Sequence, residues 1–146
     1  MKNQLFILLL LLFFGAISHS CCSPCRASAP IIGELESGCW KLIEVNLNPV
    51  EESEIFVTFN AEQKTISGTA PCNSFFASYT LFNAKGLERN IEFKNSGATM
   101  RMCPDSEQEE AFIGVLPSVY RVKLEGKSLL MIDSQERLVA VLVKVE

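Results

Sequence analysis

The chain from residue 38 onward consists of short segments in which apolar and polar side chains alternate, and tight turns separate them. In residues 54–59 (EIFVTF), Ile55, Val57 and Phe59 alternate with the other three side chains. Such a two-residue period is typical of a strand, and short turns between successive strands favour antiparallel pairing. The pattern predicts a β-rich α+β fold, with about eight strands in one antiparallel, strongly curved sheet or partly open barrel. Further strands are expected at residues 39–46, 64–69, 77–82, 91–94, 98–102, 119–124, 128–132 and 138–145.

One segment departs from the two-residue period. Its apolar side chains have the spacing of one helix face, namely Ala111, Phe112, Val115 and Leu116. Pro117 should end this helix. Ser106 and Glu109 have the spacing of a capping box, in which the glutamate side chain reaches back to the serine amide. We therefore expect one short helix packed on the sheet.

The first twenty residues have the layout of a secretory signal peptide, with a basic start, an apolar run and small residues before Cys21. The apolar stretch, residues 5–17, is shorter than the roughly 20 residues that a membrane-spanning helix needs. Residues 1–20 are therefore predicted to be a signal peptide. Residues 21–37, rich in Ser, Ala and Pro, are predicted to be a flexible tether, and residues 38–146 to be the folded domain.

Cleavage before Cys21 would leave a cysteine at the mature N-terminus, which resembles a bacterial lipoprotein whose thiol carries the lipid. Ser18 and Ser20 stand where the usual lipobox has Leu and then Gly or Ala. Cys21 is the expected lipid attachment site, and the expected location is the bacterial envelope, at the outer membrane or facing the periplasm. The alternative is a secreted, unanchored protein.

Removal of the leader takes away His19, the only histidine of the chain. Nucleophiles paired with histidine and histidine-ligated zinc are then excluded. The formal charge of −4 and the lack of a basic block give no support to nucleic-acid binding. The carboxylate-rich residues 107–110 are interpreted as a solvated helix start rather than as a paired-carboxylate hydrolase, and Asp105 and Glu109 are not interpreted as a calcium site, because no calcium-binding loop is present. We expect no catalytic residue, no metal and no cofactor.

Six cysteines are present, and Cys72 and Cys103 are the two within the body of the domain, each beside turn residues. Export permits disulfides. A Cys72–Cys103 bridge is predicted, and closing a loop of about 31 residues would stabilise the domain by about 3 to 4 kcal/mol. Cys39 is the competing partner, or else a buried thiol. Cys22 and Cys25 form a CxxC pair, but they lie in the tether rather than between a strand and a helix.

The segment SGTAPCNSFFASYT, residues 67–80, places Cys72 at a bend among aromatic residues. A reactive thiol there would need a neighbouring lysine or helix N-terminus, and the sequence provides neither beside it. Asn73 is interpreted as a turn residue whose side chain satisfies local backbone groups. Phe75, Phe76 and Tyr79 are candidates for a binding surface. The alternative is that at least two of these three rings fill the core.

Several short motifs occur in a characteristic order, namely Trp40-x-Leu42, Val57-Thr58-Phe59, Ser67-Gly68-Thr69-Ala70-x-Cys72-Asn73, Tyr79 and Thr99-Met100-x-Met102-Cys103. Over residues 38–146 the chain resembles the META domain, also called the HslJ-like domain, of bacterial envelope lipoproteins. The resemblance implies a β-rich, partly open barrel and, for some members, an association with heat stress, drug resistance or motility. It implies no catalytic residues. Pro71 and Ala77 stand where the family usually has glycine.

These observations favour a non-enzymatic lipoprotein of the cell envelope that contributes to stress tolerance or envelope maintenance. Its partner would be the membrane, reached through the lipid on Cys21, and the domain is expected to be a monomer. The alternative is an extracytoplasmic binding module for an apolar ligand or a partner protein, acting in the manner of an inhibitor. A thiol enzyme that uses Cys72 is the least favoured hypothesis.

Overall fold

Antiparallel pairing links every strand of the part of the chain that the computed structural model describes, residues 35–85, 88–104 and 106–145. The elements in chain order are β1 (Cys39–Val45), β2 (Asn48–Pro49), β3 (Phe56–Asn60), β4 (Thr65–Thr69), β5 (Ser74–Lys85), β6 (Glu88–Ala98), α1 (Glu107–Val115), a 3-10 turn (Leu116–Ser118), β7 (Val119–Glu125), β8 (Ser128–Asp133) and β9 (Leu138–Val145). The alternation of apolar and polar residues therefore becomes strand structure, as predicted.

The sheet closes on itself, because β1 pairs with β3 on one side and with β9 on the other. Eight strands form a closed barrel, and the short strand β2 pairs with β1 as an extra strand. The predicted β-rich antiparallel fold with one short helix is confirmed. Closure depends on pairing between the first and last strands, which no local pattern in the sequence reveals.

The pairing between β6 and β7 is short, with three residue pairs from Glu88↔Lys123 to Asn90↔Arg121, the same number as between β1 and β3. Helix α1 and the 3-10 turn lie in the connection between these two strands. The strand expected at residues 98–102 does not form, because β6 ends at Ala98 and residues 99–103 have no strand structure. Residues 91–94, expected as a separate strand, belong to the longer β6.

The interior of the barrel is filled by aromatic and aliphatic side chains. Trp40, Phe59 and Phe112 are each almost fully buried. Helix α1 contacts β1 and β9 as well as the connection to β7. Its Phe112 ring packs edge-on against Phe75 at a centroid distance of 5.6 Å. The helix therefore crosses one end of the barrel and closes it with an apolar side chain.

The chain enters at the opposite end, and residues 35–37 pack against the barrel there. The indole Nε1 of Trp40 donates to the Leu35 carbonyl at 3.1 Å, and Lys144 Nζ donates to Ser37 Oγ at 3.0 Å. The predicted tether therefore reaches too far, since its last residues belong to the domain. The predicted signal peptide and Cys21 lie outside the described residues. Within the described part, no helix combines the length and apolarity needed to cross a membrane.

Candidate functional site

A bend between β4 and β5, residues 70–74, is joined to the segment after β6, residues 99–103; we call these the corner and the methionine segment. Cys72 and Cys103 form a disulfide with their Cα atoms 6.1 Å apart. This is the pairing that the sequence analysis predicted. Cys39 is also disulfide-bonded, so the alternative of a buried thiol at that position is wrong. The disulfide therefore joins the segment after β4 to the segment after β6.

Asn73 makes the second link between the corner and the methionine segment. Its Oδ1 accepts from the Thr99 hydroxyl at 2.8 Å and from the Arg101 amide at 2.9 Å, while Nδ2 donates to the Arg101 carbonyl at 3.5 Å. The interpretation of Asn73 as a residue that satisfies local backbone groups is wrong. The side chain instead completes the hydrogen bonds of a backbone 28 residues away, where strand pairing has ended.

Glu109 links helix α1 to the same corner. Its Oε2 accepts from the backbone amides of Cys72 at 3.3 Å and Asn73 at 3.2 Å, and the residue is only 3% exposed. The predicted capping box is wrong, because the Ser106 hydroxyl donates to Glu110 rather than capping a backbone amide. A buried carboxylate is favourable only where donors compensate its lost hydration, and the two amides do so.

The geometry explains why Pro71 is tolerated where the related family has glycine. The amides used at the corner are those of Cys72 and Asn73, together with that of Ala70, which donates to the Asn73 carbonyl at 2.8 Å. Position 71 therefore needs no donor, and its side chain is exposed. Proline lacks only the amide hydrogen that this bend does not use.

The three aromatic candidates divide between the core and the surface. Phe75 and Tyr79 are buried, so they cannot present their rings to a partner. Phe76 is 57% exposed, and only it remains as a candidate contact residue. Alternation along β5 explains the division, because neighbouring residues point to opposite faces of a strand. Gly68 provides the space for the Phe75 ring, since a Cβ there would overlap that ring and lie 2.6 Å from the Phe56 carbonyl oxygen.

A polar cluster around Tyr79 lies at the entry end of the barrel. The Tyr79 hydroxyl donates to Glu36, and Lys64 Nζ lies 2.8 Å from the same carboxylate and 5.6 Å from the centre of the Tyr79 ring. Burial, followed by the hydrogen bond to Glu36, raises the pKa of Tyr79. This cluster fixes the incoming chain to the barrel. Sequence reasoning missed it because Glu36 lies in a segment read as tether.

An open groove of about 470 Å³ lies where β6 continues beyond its pairing with β7, and its lining includes Phe82, Ile91 and Val119. Phe82 and Tyr120, both partly exposed, pack edge-on beside it with centroids 6.3 Å apart. Asp133 lines the groove and accepts from the Arg137 amide at 2.9 Å and from Arg137 Nε at 2.7 Å. These bonds hold the pKa of the Asp133 carboxyl below its usual range. The Asp133 carboxylate therefore stabilises the turn between β8 and β9.

The polar and sulfur groups of the corner hold neighbouring elements together. The sulfurs of Cys72 and Cys103 are bonded to each other, so neither provides a thiolate nucleophile. The carboxylate of Glu109 and the amide of Asn73 are both engaged with backbone groups. Among the residues described, no three His, Cys, Asp or Glu side chains are gathered as a metal site requires.

Comparison with known proteins gives one family match and two solved structures. The family model described as "META domain" matches residues 33–146. An NMR structure of a protein from Burkholderia xenovorans is similar in fold, with a TM-score of 0.58 and 18% identity, over 82% of this chain and 94% of that one. A crystal structure of a DUF4847 family protein from Bacteroides vulgatus gives a TM-score of 0.45 and 18% identity, over 63% of this chain and 61% of that one. A search of curated proteins finds no match.

Proposed function

Because this chain belongs to the META domain family, we propose that it is a non-enzymatic lipoprotein of the bacterial cell envelope that contributes to stress tolerance or envelope maintenance. In this proposal residues 1–20 direct export, and Cys21 carries the lipid. The folded barrel is then held at the membrane by the residues between Cys21 and Leu35.

The observation that carries the proposal is the Cys72–Cys103 disulfide inside the domain. Structural disulfides persist in oxidising compartments outside the cytoplasm and are rare within it. The bond therefore supports export, as does the basic start and apolar run that precede Cys21. Either feature alone is a weaker argument than the two in one chain.

A structural rather than catalytic role is supported by the way in which the polar groups of the corner are used. Catalytic side chains need a free donor or acceptor directed at a substrate. Here the carboxylate of Glu109 and the amide of Asn73 complete backbone hydrogen bonds instead. The corner then serves to hold helix α1 and the methionine segment on the barrel.

The placement of the two barrel ends is compatible with an N-terminal anchor. Glu36 lies beside Tyr79, and the corner ends at Ser74, five positions before Tyr79 on the same strand. Five residues of extended strand span roughly 16 Å. With the lipid on Cys21, the entry end would lie nearer the membrane, and the corner with the helix-covered end would lie farther from it.

Mass spectrometry of the mature protein from membranes tests this proposal. We expect an N-terminal Cys21 peptide that carries acyl chains, together with incorporation of labelled palmitate that is lost in Cys21→Ala. Cys22→Ala is the matched control and should keep the label. Recovery of an unmodified N-terminus in the soluble fraction would overturn the lipid anchor and favour simple secretion.

A second candidate function is an extracytoplasmic binding module for an apolar ligand or a partner protein. It is favoured by the exposed ring of Phe76 and by the groove beside Phe82 and Tyr120. Because aromatic and aliphatic side chains fill the barrel interior, a ligand would have to bind on the outer surface. Native mass spectrometry of the extracted protein should then show a bound mass that Phe76→Ser or Phe82→Ser removes. A clean apo mass would count against this function.

A further inference from the structure

Two methionines in the methionine segment are almost completely exposed. Met100 is 98% and Met102 is 100% exposed, which is more than any other large apolar residue of the described chain. Single apolar residues at a protein surface are common and need no explanation. Here two thioether groups, separated by one residue, are both exposed to water, so two oxidisable sulfurs lie close together at the surface.

The third methionine of the domain has the opposite environment. Met131 on β8 is 0% exposed and belongs to the barrel core. Oxidation of a thioether to the sulfoxide turns a flexible apolar side chain into a polar one, and this disrupts cores. The described part of the chain therefore has one methionine whose oxidation would damage the barrel, and two whose oxidation would disturb no buried contact.

The backbone of the methionine segment is fixed independently of the methionine side chains. Asn73 bonds both the amide and the carbonyl of Arg101, the residue between the two methionines. The Thr99 amide donates to the Ser74 carbonyl at 3.0 Å, and Cys103 is bonded to Cys72. A chemical change at the two sulfurs would therefore leave the position of the segment unchanged.

We propose that Met100 and Met102 form an oxidation site that reacts with hydroperoxides while the barrel stays folded. In each step the thioether sulfur attacks one oxygen of the peroxide, the O–O bond breaks and an S=O bond forms. The sulfur loses two electrons, and the peroxide is reduced to water, or to an alcohol when it is an alkyl hydroperoxide. Sulfoxide reductases are the class of enzyme that reverses this change. The site is independent of the lipid anchor and of the proposed envelope role.

Trypsin separates the three methionines, so each can be followed individually. Cleavage after Lys94, Arg101, Arg121, Lys127 and Arg137 gives the peptides 95–101, 102–121 and 128–137, which contain Met100, Met102 and Met131 in turn. The folded full-length protein is treated with hydrogen peroxide for increasing times, then quenched, reduced, digested and weighed. We expect Met100 and Met102 to gain one oxygen atom at least about tenfold faster than Met131, because a buried group reacts only through opening.

Two further measurements complete the test. In urea above the unfolding transition, all three methionines should react at similar rates, which assigns the slow reaction of Met131 to burial. The protein oxidised only at Met100 and Met102 should keep the thermal midpoint of the untreated protein, as should the Met100→Leu/Met102→Leu variant before and after peroxide. Equal rates at all three residues in the folded protein, or a lower midpoint when only the exposed pair is oxidised, would overturn the proposal.

Discussion

The carboxylate of Glu109 in helix α1 accepts a hydrogen bond at 3.2 Å from the backbone amide of Asn73, which lies 36 residues earlier, just before strand β5. Through this bond the helix that closes the barrel is attached to the corner. Through its side chain, the same asparagine is attached to the methionine segment. Helix, corner and methionine segment are thus held by one buried group of polar atoms, and the stability of this end of the barrel depends on them.

Replacement of Glu109 by alanine should destabilise the domain by about 2 to 4 kcal/mol, because the buried amides of Cys72 and Asn73 lose their acceptor. Urea unfolding followed by tryptophan fluorescence measures this, since Trp40 is the only tryptophan and is buried. Glu110→Ala changes an exposed glutamate on the same helix and should alter the free energy of unfolding by no more than about 0.5 kcal/mol. Equal effects of the two substitutions would contradict a specific role for Glu109.

Removal of the disulfide in a Cys72→Ala/Cys103→Ala variant should lower the free energy of unfolding by about 3 to 4 kcal/mol, because the bond closes a loop with a sequence separation of 31. The hydrogen bonds of Asn73 remain in this variant, so the native fold should persist in the absence of denaturant. Urea unfolding measures the effect when the midpoint and the slope are both fitted for each protein, because loss of the cross-link also makes the unfolded chain less compact. An unchanged midpoint would show that these polar contacts alone hold the two segments together.

The strands were predictable because each is specified by its own local alternation, as in residues 54–59. The closure of the barrel was not, since β1 and β9 pair across the whole length of the domain. Residues 98–102 were predicted to be a strand, but the pairing of β6 with β5 ends at Phe75↔Ala98 and β5 begins at Ser74, so residues 99–102 have no partner strand there. A local pattern cannot show where a partner strand is missing.

The corner could be predicted only in part, for the same physical reason. The disulfide followed from counting the cysteines that lie within the domain. The hydrogen-bond partners of Glu109 and Asn73 could not be predicted from the sequence. A glutamate three residues after a serine is typical of a capping box, but in the folded protein the Glu109 side chain instead contacts the corner. The aromatic residues after the corner were ambiguous until the direction of β5 showed which side chains point inward.

Gly68→Ala should destabilise the domain by about 1 to 3 kcal/mol, because the added Cβ would overlap the Phe75 ring and the Phe56 carbonyl oxygen. Gly114→Ala is the matched control on helix α1. Nothing lies within 4 Å of the added Cβ there, and alanine should stabilise the helix by up to about 1 kcal/mol. Thermal unfolding of the two variants should therefore shift in opposite directions. A shift in the same direction would refute the crowding at Gly68.

Asp133→Asn should reduce the dependence of stability on acid pH. The pKa of Asp133 is lowered in the folded protein, chiefly by the hydrogen bond from the Arg137 amide. A lowered pKa contributes stability that is present above the unfolded value, about 3.9, and is lost as the pH falls through the folded value. The asparagine variant lacks this contribution. Urea midpoints between neutral and acid pH should converge for the two proteins as the pH falls, and parallel curves would contradict this role.

Tyr79→Phe should flatten the loss of stability at alkaline pH. Burial and the hydrogen bond to Glu36 raise the pKa of Tyr79, so the folded protein keeps this proton at a pH where the unfolded chain releases it. The stabilising contribution is therefore complete below the unfolded value, about pH 10, and decreases as the pH rises from there toward the folded value. The phenylalanine variant should be less stable at neutral pH by about 1 kcal/mol, from loss of the hydrogen bond, yet lose less stability above pH ~10. Tyr120→Phe, which changes an exposed tyrosine, should keep the wild-type dependence of stability on alkaline pH. If Tyr79→Phe also kept this dependence, the Tyr79 hydroxyl would not be protected by Glu36.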